Sequence, residues 1–271
     1  SAEMADIVLP AATYLEYDDI AVRSPYIMAR QKTTQIGEVW PDKKIYNELA
    51  KKLGLGKHFW NDVNEALDIF LKPMGVTFDK FREMGWYVCD REYKYYEKDG
   101  FKTPSGKVEL YSSLLKKWGH APLPVYYEPP ETPYSAPEMM KEYPLIFTSW
   151  HPEFYHHSDN RQIASLRAKD PEPVVELHPR TAAGLGIKEG DMAYVETKRG
   201  RCKLRVKLVE SIDPRVVAAE IDWWFPEQGV DTLHGYRESN VNMITDDGPP
   251  FNPELGSSSL RGFLCKVYKA S

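Results

Sequence analysis

The chain has 271 residues, 42% hydrophobic, 13% aromatic and 28% charged, a balance that suits folded protein rather than disorder. Lys and Arg number 35 against 40 Asp and Glu, a formal charge of −5 with no long basic run, which disfavours sequence-independent binding to a nucleic acid polymer. No apolar stretch approaches the roughly 18 residues that direct membrane insertion needs, and Cys89, Cys202 and Cys265 are too scattered for a disulfide framework, a zinc ribbon or a cysteine-ligated cluster within the chain.

The chain opens on Ser1 and enters a strand-like run, Ile7 to Leu9, stopped by Pro10; so abrupt a start is expected of a piece of a longer protein. After a polar loop, Pro41 to Gly56 reads as an amphipathic helix. Pro41 suits its first turn, Ile45, Leu49 and Leu53 share a face, and Gly54 is placed to end it. Asp62 and Glu65 form a capping-box pattern for a second helix, in which Val63, Leu67 and Phe70 share a face before Pro73 and Gly75. "FDKFREMG" predicts a short third helix. A turn at Pro104 to Gly106, a short strand at Val108 to Leu110 and a brief helix follow.

Seven prolines between His120 and Pro144 mark the clearest boundary, because few of them fit regular structure. The expected divisions are a partial α/β and helical region over 1–119, a Pro-rich linker over 120–142 and a mainly β unit over 143–271. In that last unit, "PLIFTSW" reads as a buried strand and "VVELHPRTAAGLGI" as a strand leading into a short helix, with Pro179 in its first turn. "DMAYVETKRGRCKLRVKLVES" predicts a hairpin: Cys202, Leu204, Val206 and Leu208 alternate with Lys203, Arg205 and Lys207 beyond Gly200. "RVVAAEI" and "GFLCKVYK" complete a series of short strands that points to a barrel or sandwich.

Chemistry concentrates in two places. "FTSWHPEFYHHSDNR" brings together His151, His156 and His157 with Glu153 and Asp159, ligand types suited to Zn²⁺ or Fe²⁺. The spacing matches no helical metal motif, and polar loop residues hydrogen-bonded to backbone or to a ligand fit it better. In "SNVNMIT", Asn240 and Asn242 would face one side of an extended segment and offer amides to a heterocycle edge, or else serve as turn residues. Trp223 and Trp224 could stack on a flat ring or fill a core. Dinucleotide, P-loop and hydrolase-elbow glycine signatures are missing.

Taken in order, "ADIVLPAATYLE", "FKTPSGKVELYSSLL", "VVELHPRTAAGLGIKEGDMAYVETKRG" and "SNVNMIT" resemble the C-terminal portion of the dimethyl sulfoxide reductase family, the bis-pterin molybdenum and tungsten oxidoreductases. The resemblance implies an α+β, mainly β fold: a six-stranded double-psi β-barrel from about residue 143, preceded by a mixed helical and α/β remnant of a larger enzyme. It implies a cofactor, bis-molybdopterin guanine dinucleotide with Mo or W, contacted by Thr148, Ser149, Trp150, His151, His156, His157, Ser158 and Arg161 at one end and by Asn240 and Asn242 at the other. Two departures stand out. "EYDDIAVRSPYIMARQK" replaces the family's E-G-T-x-x-N-x-E-G-R, and His178 stands where many relatives have Asn. The metal ligand and the cysteines for any iron–sulfur cluster belong to the family's N-terminal half, so no catalytic or metal-ligating residue is assigned here and this chain alone should be inactive. Its expected partners are the missing N-terminal domains of the same polypeptide and an iron–sulfur electron-transfer subunit. Localisation is not readable. The alternatives are a metal-dependent hydrolase using His151, His156 and His157, and a non-catalytic β-rich interaction module.

Overall fold

A computed structural model describes residues 2–270, which divide into two compact units, one ending at Phe101 and the other beginning at Lys102. In the first unit a three-stranded antiparallel sheet, ordered β1 (Asp19–Arg23), β2 (Tyr26–Arg30) and β3 (Trp86–Val88), accompanies helices α1 (Asp42–Lys52), α2 (Val63–Leu71) and α3 (Phe78–Met84). The Asp62 side chain accepts from the Glu65 amide at 2.9 Å, as its spacing predicts, while the Glu65 carboxylate reaches one residue beyond the cap, to the Asn61 amide at 2.7 Å. Leu67, Leu71, Phe78 and Phe81 bury together against Ile20, Ile27 and Ala29 of the sheet.

Three expectations fail in this part of the chain or just beyond it. Residues Ile7 to Leu9 are exposed but form no strand, and Val108 to Leu110, with exposed Val108 and Leu110, form none either. Each lacks a neighbour to complete its backbone hydrogen bonds, and an isolated extended segment gains nothing from strand propensity. Helix α1 does form, with Gly54 in the left-handed region (φ 74°) just past its end. Its burial is reversed, however: Asn47 and Ala50 are inside, whereas Leu49 and Leu53 are 48% and 65% exposed. The β1–β2 hairpin stands where a polar loop is expected, because its strands are only five residues long and end in charged residues.

The second unit contains short helices α5 (Ser113–Lys117), α6 (Ala164–Arg167), α7 (Pro179–Gly184) and α8 (Tyr236–Ser239); α4 (Tyr96–Asp99) closes the first. Six strands close into the expected barrel: β4 (Leu145–Trp150), β5 (Val174–Leu177), β6 (Met192–Thr197), β7 (Gly200–Leu208), β8 (Val216–Glu220) and β9 (Phe263–Lys269), in the order β4-β8-β5-β7-β6-β9. β4 with β8 and β5 with β7 are parallel, and the other pairs are antiparallel.

The period-2 pattern of the hairpin does what it should. Cys202, Leu204 and Val206 turn inward with Val195 and Ala193, joining Phe147, Val175, Leu177, Val217, Ala219, Phe263 and Cys265 in one core. Fully burying a large apolar side chain of this kind contributes about 1.5–3 kcal/mol. Burial pushes the Cys202 thiol up to about 12, so this cysteine is a core residue and not a nucleophile. Gly200 has a packing reason: a Cβ there would lie 2.7 Å from the Met243 carbonyl oxygen. The Pro-rich stretch groups with the barrel. Buried Glu131 takes a two-pronged bond from Arg199 at 2.7 Å each, and its carbonyl accepts from the Leu264 amide at 2.8 Å.

Candidate cofactor-binding site

The barrel's strand directions create the site. Because β4 and β8 are parallel neighbours with Trp150 opposite Glu220, the loops leaving their C-terminal ends, 151–163 and 221–229, emerge side by side. β9 runs antiparallel to β4, with Phe263 opposite Phe147, so the residues just before β9 arrive at the same mouth.

Arg161 joins the two loops from beneath. Its guanidinium donates to the His157 carbonyl at 2.6 Å and to the Ile221 carbonyl at 3.1 Å, and stacks between Tyr155 and Trp223, 4.6 and 4.7 Å from the ring centroids. Its side chain and that of Glu220, 3.9 Å away, are both fully buried. Burial, with Asp170 hydrogen-bonded beside it, pushes the Glu220 carboxyl up to about 9, and burial raises Asp170 as well. Two adjacent carboxyls holding one proton carry a single negative charge, which offsets the Arg161 cation. The cluster then leaves no uncompensated charge in the interior.

Above this clamp the loop side chains are solvent-facing. The His157 ring lies 5.0 Å from His151 and 4.8 Å from His156, centroid to centroid. His157 Nδ1 is 3.2 Å from the Asp222 carboxylate. His157 and Asp222 both occupy the left-handed backbone region, at φ 52° and 60°, where strain is held by surrounding contacts and tends to mark functional loops. The Ser158 carbonyl accepts from Trp224 Nε1 at 2.6 Å. Among the described residues no three His, Cys, Asp or Glu groups converge on a point where a metal ion would sit, and this does not favour the hydrolase reading.

At the end of β4, Thr148, Ser149 and Trp150 are half-buried, and the Ser149 hydroxyl accepts from Arg261 Nε at 3.1 Å. The asparagine pair does not lie in an extended segment. Residues Val241–Met243 form a single 3₁₀ turn, capped by Asn240, whose carbonyl oxygen accepts from the Asn242 amide at 2.9 Å and whose NH₂ donates to the Trp223 carbonyl at 3.0 Å. Asn240 therefore points inward and is satisfied, whereas Asn242 is exposed. Sequence reasoning passed over Asp222, Arg261 and the Asp170–Glu220 pair. Only Glu220, a carboxylate ending the apolar run "VVAA", left a visible signal.

The donor set suits an organic, polyanionic ligand with flat rings: hydroxyl, guanidinium, three imidazoles, an indole and an exposed amide surround one mouth. Comparison with known proteins agrees. Residues 145–260 match the family model described as "Molydopterin dinucleotide binding domain". The chain is 35% identical to acetylene hydratase of Syntrophotalea acetylenica over 99% of its own length and 38% of the relative's. It is 32% identical to dopamine dehydroxylase of Eggerthella lenta over 87% of its length and 24% of that protein's. With dimethyl sulfoxide reductase DmsA of Haemophilus influenzae the identity is 30%, covering 92% of this chain and 34% of that one. The solved structure of acetylene hydratase from Pelobacter acetylenicus superposes with a TM-score of 0.88 at 35% identity, over 97% of this chain and 38% of that one.

Barrel and site thus define a molybdopterin dinucleotide-binding unit. The chain belongs to the molybdopterin oxidoreductase family and corresponds to its C-terminal portion. It spans well under half the length of these relatives, 38% of the first.

Proposed function

We propose that the mouth formed by β4, β8 and their loops grips the guanine dinucleotide part of the cofactor and orients it within a longer enzyme. The observation that carries this reading is the division of labour at the mouth: Arg161 and Asn240, both buried, hold the loops, half-buried Trp224 ties them through the Ser158 carbonyl, and His151, His156, His157 and Asn242 face outward. In this reading Thr148 to Trp150, the imidazoles and Ser158 line one end, and Asn242 the other. Arg161 and Asn240 act through the backbone they position. The cofactor is bis-molybdopterin guanine dinucleotide with Mo or W, and when bound it supplies the metal centre at which the reaction takes place. The chain's own residues bind the organic part, fix its direction and exclude water from it. The metal ligand and any iron–sulfur group lie outside this chain, and the N-terminal domains of the longer polypeptide are its partner.

The relatives' names cover hydration, dehydroxylation and reduction, so the proposal commits to the cofactor and leaves the substrate to the remainder of the protein. Titration of the chain with GDP, followed by tryptophan fluorescence and by amide chemical shifts, tests it. GDP should perturb residues 148–161, 222–224 and 242, and Trp224→Ala and Asn242→Ala should each weaken binding several-fold. Shifts confined to other parts of the barrel would sink the assignment.

A further inference from the structure

One side chain at the mouth with unused hydrogen-bonding capacity was singled out by no sequence motif. Arg261 stands just before β9, opposite Ser149 across the antiparallel β4–β9 pair. Its Nε donates to the Ser149 hydroxyl oxygen at 3.1 Å. Among the described residues nothing accepts from its two terminal nitrogens, and no carboxylate neutralises it.

Four other arginines of the barrel unit set a contrast. Arg199 is clasped by Glu131 and Asp246, Arg205 donates to Glu172 at 2.6 Å, Arg215 to Asp213 at 2.9 Å and Arg167 to Glu227 at 2.8 Å. In those pairs the guanidinium fork is occupied by a carboxylate. At Arg261 the fork is oriented by a neutral hydroxyl and left open. Ser149 accepts from Arg261 and so keeps its own O–H free to donate. One hydroxyl and two terminal guanidinium nitrogens on adjoining side chains then offer donors at the rim, the donor types that receive a tetrahedral oxyanion.

We propose that Arg261 and Ser149 form the diphosphate-recognising element of the dinucleotide site, with Arg261 binding the anion and Ser149 fixing the arginine's fork. This rests on the reading that the mouth binds the guanine dinucleotide, and it adds which atoms take the phosphates. It also places a binding residue just before the strand that closes the barrel, outside both loops already described.

The test is calorimetric titration of the 271-residue chain with GDP, guanosine and inorganic pyrophosphate, for wild type, Arg261→Gln and Trp224→Ala, with thermal unfolding of each variant as the fold control. Arg261 is exposed, so the Gln variant should melt like wild type. Arg261→Gln is expected to weaken GDP and pyrophosphate about ten-fold or more, the usual worth of hydrogen bonds to a charged group, and to leave guanosine unchanged. Trp224→Ala should weaken guanosine and GDP alike. If Arg261→Gln binds GDP as wild type does while Trp224→Ala does not, the Arg261 assignment falls and the cofactor reading stands. If GDP binds wild type no more tightly than guanosine does, the assignment falls also. Failure of wild type to bind either nucleoside species overturns both.

Discussion

Arg161, Glu220 and Asp170 form a buried cluster whose protonation is part of its structure. Glu220 titrates far above the ordinary carboxyl range, because burial and Asp170 both favour its neutral form. In the unfolded chain it would ionise near its ordinary value, about 4.3. Across the interval between the two values the folded protein holds a proton that the unfolded chain has released. Stability from this source is therefore complete below about pH 4 and declines as pH rises toward about 9. Glu220→Gln, which keeps the shape and stays neutral, should flatten that decline, with urea unfolding between about pH 5 and 9 as the measurement. Parallel loss of stability in wild type and variant would show that no shared proton is present. The polar residues of this region were readable in the sequence as a group, but their direction was not. Arg161 and His157 sit four apart in one loop, and only the fold decides that the first is buried and the second faces solvent.

At the scale of elements, local patterns were read well where neighbours in sequence decide the outcome. The β6–β7 hairpin follows from alternation, and α7 starts where Pro179 places it. Its cap is instructive. His178 accepts from the Arg180 amide through Nδ1 at 3.0 Å, the kind of bond that an N-cap asparagine oxygen makes. His178→Asn should therefore leave stability nearly unchanged, while His178→Ala should cost about 1 kcal/mol, measured by denaturant titration. Equal losses in the two variants would remove the capping role. Ile7–Leu9 and Val108–Leu110 failed for the opposite reason: strand propensity is local, but a strand needs a partner that local sequence does not name. The β4–β8 pairing that builds the site was invisible on the same ground, since nothing in either segment identifies the other; the barrel itself was expected only through a resemblance of several segments in order.

For the molecule as a whole, the first unit carries apolar side chains that do not contribute to its own core. Leu9, Trp40, Leu49 and Leu53 are all exposed, and Leu49 lines open clefts on either side of α1 with volumes near 450 and 490 Å³. Contiguous exposed apolar surface of this kind marks contact with another body. Leu49→Glu with Leu53→Glu should leave the chain's melting temperature within a degree or two and reduce its binding of a hydrophobic dye. A marked fall in melting temperature would mean that the stripe is already part of a packed core. The amphipathic period of α1 thus marks a helix with an apolar face, and the fold leaves Leu49 and Leu53 of that face exposed.

The barrel closes by joining β4 to β9, its first and last strands in sequence, and seats β8 beside β4 across three intervening strands of sequence. Contacts so distant along the chain carry a loop-closure cost and slow folding. Both loops of the mouth, and Arg261 with them, depend on those pairings. An incompletely closed barrel would therefore be a form of the chain in which this mouth is not assembled.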